Sequence, residues 1–161
     1  MDEQEPAELM SDQEIINYIF KKLDKDEIFF GDAKQEYEQV ITAYVEAYKS
    51  ATTDEERAKA KELKKKFFEI TDRERDSDRL SEDRTFFKWQ ALRELVLAEI
   101  ASELGQWEEY MIYLGGAYDC LWSADHESDD LVFSLMKKKL KEMGIEEDAK
   151  EYLTEEGIIH Q

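Results

Sequence analysis

Residues that break helices are almost absent from this sequence. Its only proline is Pro6, and six glycines are spread over 161 residues. Charged residues make up 39% of the chain and aromatic residues 12%. Many charges with few breakers favour long amphipathic helices over a sandwich or barrel, and the aromatic content argues against disorder. The sequence therefore predicts an all-α fold of the size of one domain.

Apolar residues recur at helical spacing in six or seven segments, and several segments begin with a capping signal. Ser11 and Glu14 have capping-box spacing before the first segment, and Thr53 and Glu56 have the same spacing before the third. We predict residues 1–10 as a disordered acidic tail, 11–154 as a single helical domain and 155–161 as a tail. A short final helix is expected at about 146–153.

Other residues are candidates for the remaining helix ends. Ser81 is a candidate cap for the fourth helix, and Ser128 or Asp129 for the sixth. Gly105 and Gly144 stand where glycines commonly end helices.

The fourth and fifth segments, 81–104 and 107–122, are apolar on most sides, as is typical of central helices. We predict a bundle of six to seven helices around this central antiparallel hairpin. Gly115 and Gly116 are adjacent within its second helix, where each glycine costs about 1 kcal/mol. The pair therefore indicates either a kink or a close helix crossing.

The net charge of −19 is distributed unevenly along the chain. Residues 1–53 hold 13 acids and 5 bases, a net of −8. Residues 54–94 hold 12 of each, and residues 95–161 hold 16 acids and 5 bases, a net of −11. A surface of this sign repels nucleic-acid phosphates and anionic lipid heads. We expect no direct nucleic-acid binding and no membrane binding, and we expect a protein partner with a basic surface.

The neutral middle segment allows two interpretations. The first interpretation is that its charges form internal ion pairs at i,i+4 spacing, such as Glu55–Lys59 and Glu62–Lys66. The second is a basic stripe that docks an acidic partner or the acidic end of a second copy, which would make the chain a homodimer.

Cysteine content and hydropathy predict a cytoplasmic protein. Cys120 is the only cysteine, which excludes an intrachain disulfide and fits a reducing compartment. The first residues are acidic where a signal peptide is basic. No run of about 18 apolar residues is present, as a membrane-spanning helix requires.

Motifs for catalysis, metals and cofactors are absent from the sequence, so we predict a chain that is not an enzyme and has no catalytic residues, metal or cofactor. Neither His126 nor His160 has the Glu-x-x-His spacing of di-iron bundles. Glu99 and Glu103, with Asp119 on the next helix, only partly match the carboxylate pairs of Mg-dependent helical nucleotide hydrolases. That activity is our third alternative.

Residues 91–122 resemble a single tetratricopeptide-type helical hairpin. Leu97, Ala98 and Ala101 stand where the first helix of that repeat has its large and small residues, and residues 104–109 resemble its turn. Tyr110 stands where the repeat has alanine. The resemblance implies a scaffold that binds proteins.

Our functional prediction is a non-enzymatic acidic helical protein-interaction module, of the adaptor or chaperone type. Its partner-binding groove would consist of the aromatic residues Trp107, Tyr110, Tyr113 and Trp122. The alternative is an inhibitor that mimics nucleic acid and occupies the basic cleft of a DNA- or RNA-handling protein, as in phage or mobile-element anti-defence proteins. The acidic surface would consist of Glu108, Glu109, Asp125, Glu127, Asp129 and Asp130.

Overall fold

The computed structural model describes residues 10–24, 34–76, 80 and 82–161. These residues form an all-α bundle and contain no strand, which confirms the predicted fold class. The helices are α1 (Asp12–Leu23), α2 (Lys34–Ser50), α3 (Asp54–Arg75), α4 (Asp83–Glu103), α5 (Trp107–Ala124), α6 (His126–Glu142) and α7 (Ala149–Glu155). None of these helices has both the length and the apolar character needed to cross a bilayer.

The central hairpin consists of α4 and α5, of which nine and eight residues are buried. Gly105 ends α4 with φ at +71°, a conformation that favours glycine. Arg84 Nε at the start of α4 donates to the carbonyl of Ala124 at the end of α5, at 2.9 Å, so the two helices are antiparallel. The resemblance of residues 91–122 to a tetratricopeptide hairpin stays a prediction.

Helices α6 and α1 cover one side of the hairpin. The rings of Tyr118 in α5 and Phe133 in α6 lie 5.9 Å apart. Lys138 of α6 contacts Asp12 at the start of α1, at 2.9 Å. Ile19 of α1 is fully buried in the core.

Helices α2 and α3 form a second hairpin that packs against α4. Phe67 of α3 is buried, and its ring lies 6.1 Å from that of Tyr37 in α2. Arg93 of α4 joins this hairpin to the centre, because its Nη1 donates to Thr71 Oγ1 at 3.2 Å and to Asp72 Oδ1 at 3.1 Å.

The segment after α6 returns over α5 and is packed into the core. Leu153 of α7 and Ile159 beyond it are buried. The backbone N–H of His160 donates to Asp119 Oδ1 in α5 at 3.0 Å. Residues 155–161, which we predicted as a tail, therefore include the buried Ile159 and contact the central hairpin through His160.

The glycine pair of α5 marks a close approach, although Gly115 approaches a non-helical segment and not the crossing helix that we predicted. Helix α5 is unbroken through both glycines. A Cβ atom on Gly115 would lie 2.1 Å from the carbonyl oxygen of Ile158, whereas one on Gly116 would meet only the Glu94 side chain, at 3.2 Å. The neighbour at Gly115 is the segment after α7, not another helix.

Two predicted helix starts are confirmed. Ser11 and Glu14 form the reciprocal capping box of α1. Thr53 Oγ1 accepts from the backbone N–H of Glu56 at 3.1 Å and caps α3.

Three helix starts differ from prediction. Asp125 precedes α6 at the N-cap position without a side-chain capping hydrogen bond, and the predicted caps Ser128 and Asp129 lie buried in the first turn. Helix α7 begins after Asp148, which accepts from the N–H of Glu151, and not near residue 146. Helix α4 follows Glu82. The predicted cap Ser81 and residues 1–9 of the predicted tail lie outside the described residues.

Candidate interaction surfaces

Two of the predicted acidic surface residues hold α1 against α6. Lys22 Nζ of α1 lies 3.2 Å from Asp125 Oδ1 and 3.1 Å from Glu127 Oε2. The Tyr18 hydroxyl donates to Glu127, and the Ser128 hydroxyl donates to Asp125. These carboxylates are committed to contacts within the chain.

Asp129 is fully buried instead of lying on the surface. Its Oδ2 lies 2.7 Å from His126 Nδ1. Burial raises the pKa of Asp129 to about 6, against the opposing effect of His126. Asp129 therefore packs within the first turn of α6 and cannot contact a partner.

The other three predicted acids are exposed, but they lie at two places that are far apart. Glu108 and Glu109 are in the first turn of α5, and Asp130 follows the opposite end of that helix, in α6. The 18 residues of α5 span about 27 Å. The six predicted acids thus form two groups at opposite ends of the hairpin, and not one face.

A larger exposed acidic group surrounds α7. We call it the C-terminal acidic surface: Glu146, Glu147, Asp148, Glu151, Glu155 and Glu156. Within the described part of the chain, none of these carboxylates makes an ion pair. Leu153 anchors this surface to the core, and Lys150 is the only base between residues 146 and 156.

The aromatic side chains of α5 do not share one groove. The Trp107 ring lies under Lys139 of α6, with Nζ 3.3 Å from the ring centroid. Lys64 of α3 lies 5.6 Å from the Tyr113 ring, on the other flank of α5. The bundle separates these rings because α6 and α3 pack on different sides of α5.

Trp122 and Tyr110 also have separate surroundings. Trp122 is 39% exposed, near the far end of α5, with Lys150 Nζ 5.3 Å from its ring. Tyr110 is buried, its hydroxyl has no hydrogen-bond partner among the described residues, and burial raises its pKa. Tyr110 thus fills the core and cannot contact a partner without local opening.

A groove of about 560 Å³ lies between α2, α3 and the start of α5. We call it the lysine groove, and its lining residues are Tyr44, Tyr48, Lys61, Lys64, Lys65, Phe68, Gln106 and Glu109. The predicted pairs Glu55–Lys59 and Glu62–Lys66 are not among the ion pairs of the described residues. The lysines of the groove therefore make no ion pair with the described residues, and Lys64 contacts the Tyr113 ring.

The sequence alone does not indicate this groove. Tyr44 and Tyr48 follow the apolar stripe of α2, a pattern typical of core residues, and of the two only Tyr44 is buried. The signal was on the next helix, where Lys61, Lys65 and Phe68 have the spacing of one helix face. Only the α2–α3 pairing brings the two sets together.

The carboxylates of the nucleotide-hydrolase alternative are engaged separately. Glu103 pairs with Lys49 of α2 at 3.1 Å, and Asp119 pairs with His160 at 2.9 Å. Glu99 accepts from Gln13 of α1. The described residues contain no group of three or more His, Cys, Asp or Glu side chains that could hold a metal ion.

Glu94 of α4 is a half-buried carboxyl group in the α4–α5 contact. Burial raises its pKa to about 7, which Arg93 only partly opposes. Burial also raises the pKa of the nearby Cys120 thiol to about 12, and Glu94 adds to that shift. At neutral pH this thiol is protonated and a weak nucleophile.

We predict that Glu94→Gln stabilises the protein at pH 8 but not at pH 5. The pKa of Glu94 is higher in the folded state than in the unfolded state, so its contribution to stability is present at low pH. It is lost as the pH rises through about 7. Because solvent screens part of this effect, Glu94→Gln should raise the free energy of unfolding at pH 8 by roughly 1 kcal/mol. Urea unfolding of both proteins at the two pH values measures it, and an equal difference at both would contradict the prediction.

No protein-family model, curated protein or solved structure gave a significant match to this chain.

Proposed function

We propose that this chain is a non-enzymatic protein-interaction module of the cytoplasm that binds a protein partner through the C-terminal acidic surface. The partner presents a basic surface. The observation that carries the proposal is that six exposed carboxylates lie within residues 146–156 and make no ion pair with any described residue. Carboxylates that are not held in internal ion pairs can form charge-assisted bonds with a partner's lysines and arginines without first breaking an ion pair.

The backbone beneath these carboxylates supports the proposal. Helix α7 is held to the core by Leu153, and Asp148 caps its first turn. A surface fixed before binding loses less conformational entropy when the complex forms. The net charge of −19 also draws a basic partner from a distance.

The internal contacts of the other acids favour α7 over the start of α6. Asp125 and Glu127 would have to leave Lys22 to bind a partner, and Asp129 would have to leave the core. Nucleic-acid mimicry is a special case of the proposal, in which the basic partner handles DNA or RNA. It requires that a duplex and this chain compete for the partner.

The test compares two variants of equal charge. The acidic-surface variant carries glutamine at five of its glutamates: Glu146, Glu147, Glu151, Glu155 and Glu156. The control variant carries glutamine at five exposed glutamates of α2 and α3: Glu38, Glu46, Glu55, Glu62 and Glu69. Asp148 is kept because it caps α7.

Each protein is immobilised, and capture of proteins from the native host is quantified by mass spectrometry. We expect the acidic-surface variant to lose a specific partner by about tenfold or more, while the control keeps it. Capture should also fall steeply when NaCl rises from about 50 to about 300 mM. Equal losses in both variants would mean that net charge alone attracts proteins, and the proposal would fail. Competition by duplex DNA would identify the mimic.

A further inference from the structure

We propose that the lysine groove is a second binding site, which takes an acidic segment of a protein. Carboxylates of that segment contact Lys61, Lys64 and Lys65, and an apolar side chain lies on the aromatic wall. This inference goes beyond the proposed function, because the groove shares no residue with the C-terminal acidic surface and takes a ligand of opposite charge.

Part of α3 is strongly basic, unlike the rest of the chain. Residues 57–66 hold six bases and one acid, in a chain whose net charge is −19. Lysines in such a chain have many possible acidic partners. Yet Lys61, Lys64 and Lys65 make no ion pair with any residue that the structure describes. Three unpaired ammonium groups in one groove attract carboxylates, and they raise the local concentration of an anionic ligand.

The lysines of α3 are divided between two flanks. Successive residues of a helix are rotated by about 100°, so Lys61 and Lys65 lie on the flank that lines the groove. Lys59 and Lys66 lie on the opposite flank and do not line it. The groove therefore has its own basic row, and the other row provides a matched control.

One wall of the groove is aromatic and consists of Tyr44, Tyr48 and Phe68. Tyr48 and Phe68 are half-buried and line the groove, and the rings of Tyr44 and Tyr48 lie 6.0 Å apart. Half-exposed rings beside ammonium groups suit a ligand that carries both apolar groups and anions. Acidic protein segments with interspersed large apolar residues have this chemistry, and Gln106 offers an amide to their backbone.

The remaining charges favour a protein segment over a nucleic acid. Glu109 also lines the groove and repels any anion that lies next to it, whether phosphate or carboxylate. A nucleic acid carries a charge on every nucleotide, so the net charge of −19 repels it along its whole length. A short protein segment carries a few carboxylates, which the three lysines can neutralise locally.

The experiment selects ligands without assuming a sequence. A library of random ten-residue peptides displayed on phage is selected on the full chain, and enriched peptides are measured by fluorescence anisotropy. We compare the wild type with the groove variant Lys61→Gln/Lys65→Gln and the control variant Lys59→Gln/Lys66→Gln. Both variants change the same charge on the same helix, and circular dichroism checks that they fold.

We expect enriched peptides rich in Asp and Glu with at least one Leu or aromatic residue. Their affinity should fall about tenfold or more in the groove variant and less than about twofold in the control variant. The acidic-surface variant should bind them at least as tightly as the wild type does. If no acidic peptide is enriched, or if both lysine variants bind equally, the inference is overturned.

Two further measurements identify a different occupant. A single-stranded DNA of twelve thymidines that binds more tightly than the peptides, and is lost in the groove variant, would assign the groove to nucleic acid. A dimer in sedimentation that dissociates only in the groove variant would assign it to a second copy. Either result overturns the inference. Neither affects the proposed function, which depends on capture through the C-terminal acidic surface.

Discussion

Gly115→Ala should destabilise the protein by about 2 kcal/mol, although alanine is the better helix former. The new Cβ would lie 2.1 Å from the carbonyl oxygen of Ile158 and 2.6 Å from its Cγ2. Backbone cannot rotate away as a side chain can. The segment after α7 must therefore shift, and the buried contact of Ile159 is disturbed.

The neighbouring glycine provides the control. A Cβ on Gly116 would meet only the end of the Glu94 side chain, at 3.2 Å, and that side chain can move. Gly116→Ala should change stability by no more than about 1 kcal/mol. Urea unfolding measures both variants, and hydrogen exchange should show faster exchange in residues 149–160 of Gly115→Ala alone. Equal effects of the two substitutions would refute the close approach at Gly115.

Arg93→Ala should destabilise the protein by about 3 kcal/mol. Its side chain is 15% exposed, and it donates to both Thr71 and Asp72 of α3. Its guanidinium carbon also lies 5.3 Å from the Trp89 ring and 5.5 Å from the Phe68 ring. Alanine removes a charge-assisted hydrogen bond worth about 2 kcal/mol and a cation–π contact worth about 1 kcal/mol.

A second arginine provides the comparison. Arg73 of α3 also joins two helices through one carboxylate, at 3.2 Å from Glu36 of α2, but its side chain is 67% exposed. Arg73→Ala should cost at most about 0.5 kcal/mol. Arg93→Lys should be intermediate, since it keeps the charge without the planar fork. Urea unfolding measures the stability of all three variants. If Arg93→Ala loses no more stability than Arg73→Ala, the contact of Arg93 with Thr71 and Asp72 does not stabilise the fold.

Local signals predicted the helices well, and the errors occur where distant contacts decide. The side chains of Ser11 and Glu14 each accept the other residue's backbone N–H within one turn. The sequence of that turn is therefore enough to predict where α1 begins. The start of α6 offers several acidic residues as caps. Asp125 takes the position, and it also pairs with Lys22, 103 residues earlier in the chain. No local pattern contains that information.

The candidate sites were harder to predict than the fold. The aromatic residues of α5 were correctly assigned to the central hairpin, but sequence spacing does not show which neighbour covers each flank. Tyr110 is therefore buried while Trp107 is 40% exposed. The acids at the start of α6 were predicted as free surface because their partner, Lys22, belongs to another helix.

The late return of the chain over α5 has a consequence for synthesis on the ribosome. Helices α4 and α5 emerge well before residues 149–160 do. Until those residues follow, the apolar face around Gly115 is open to water and the core cannot close. A nascent chain that has released α4 and α5 but not yet residues 149–160 thus leaves this face of α5 exposed to water.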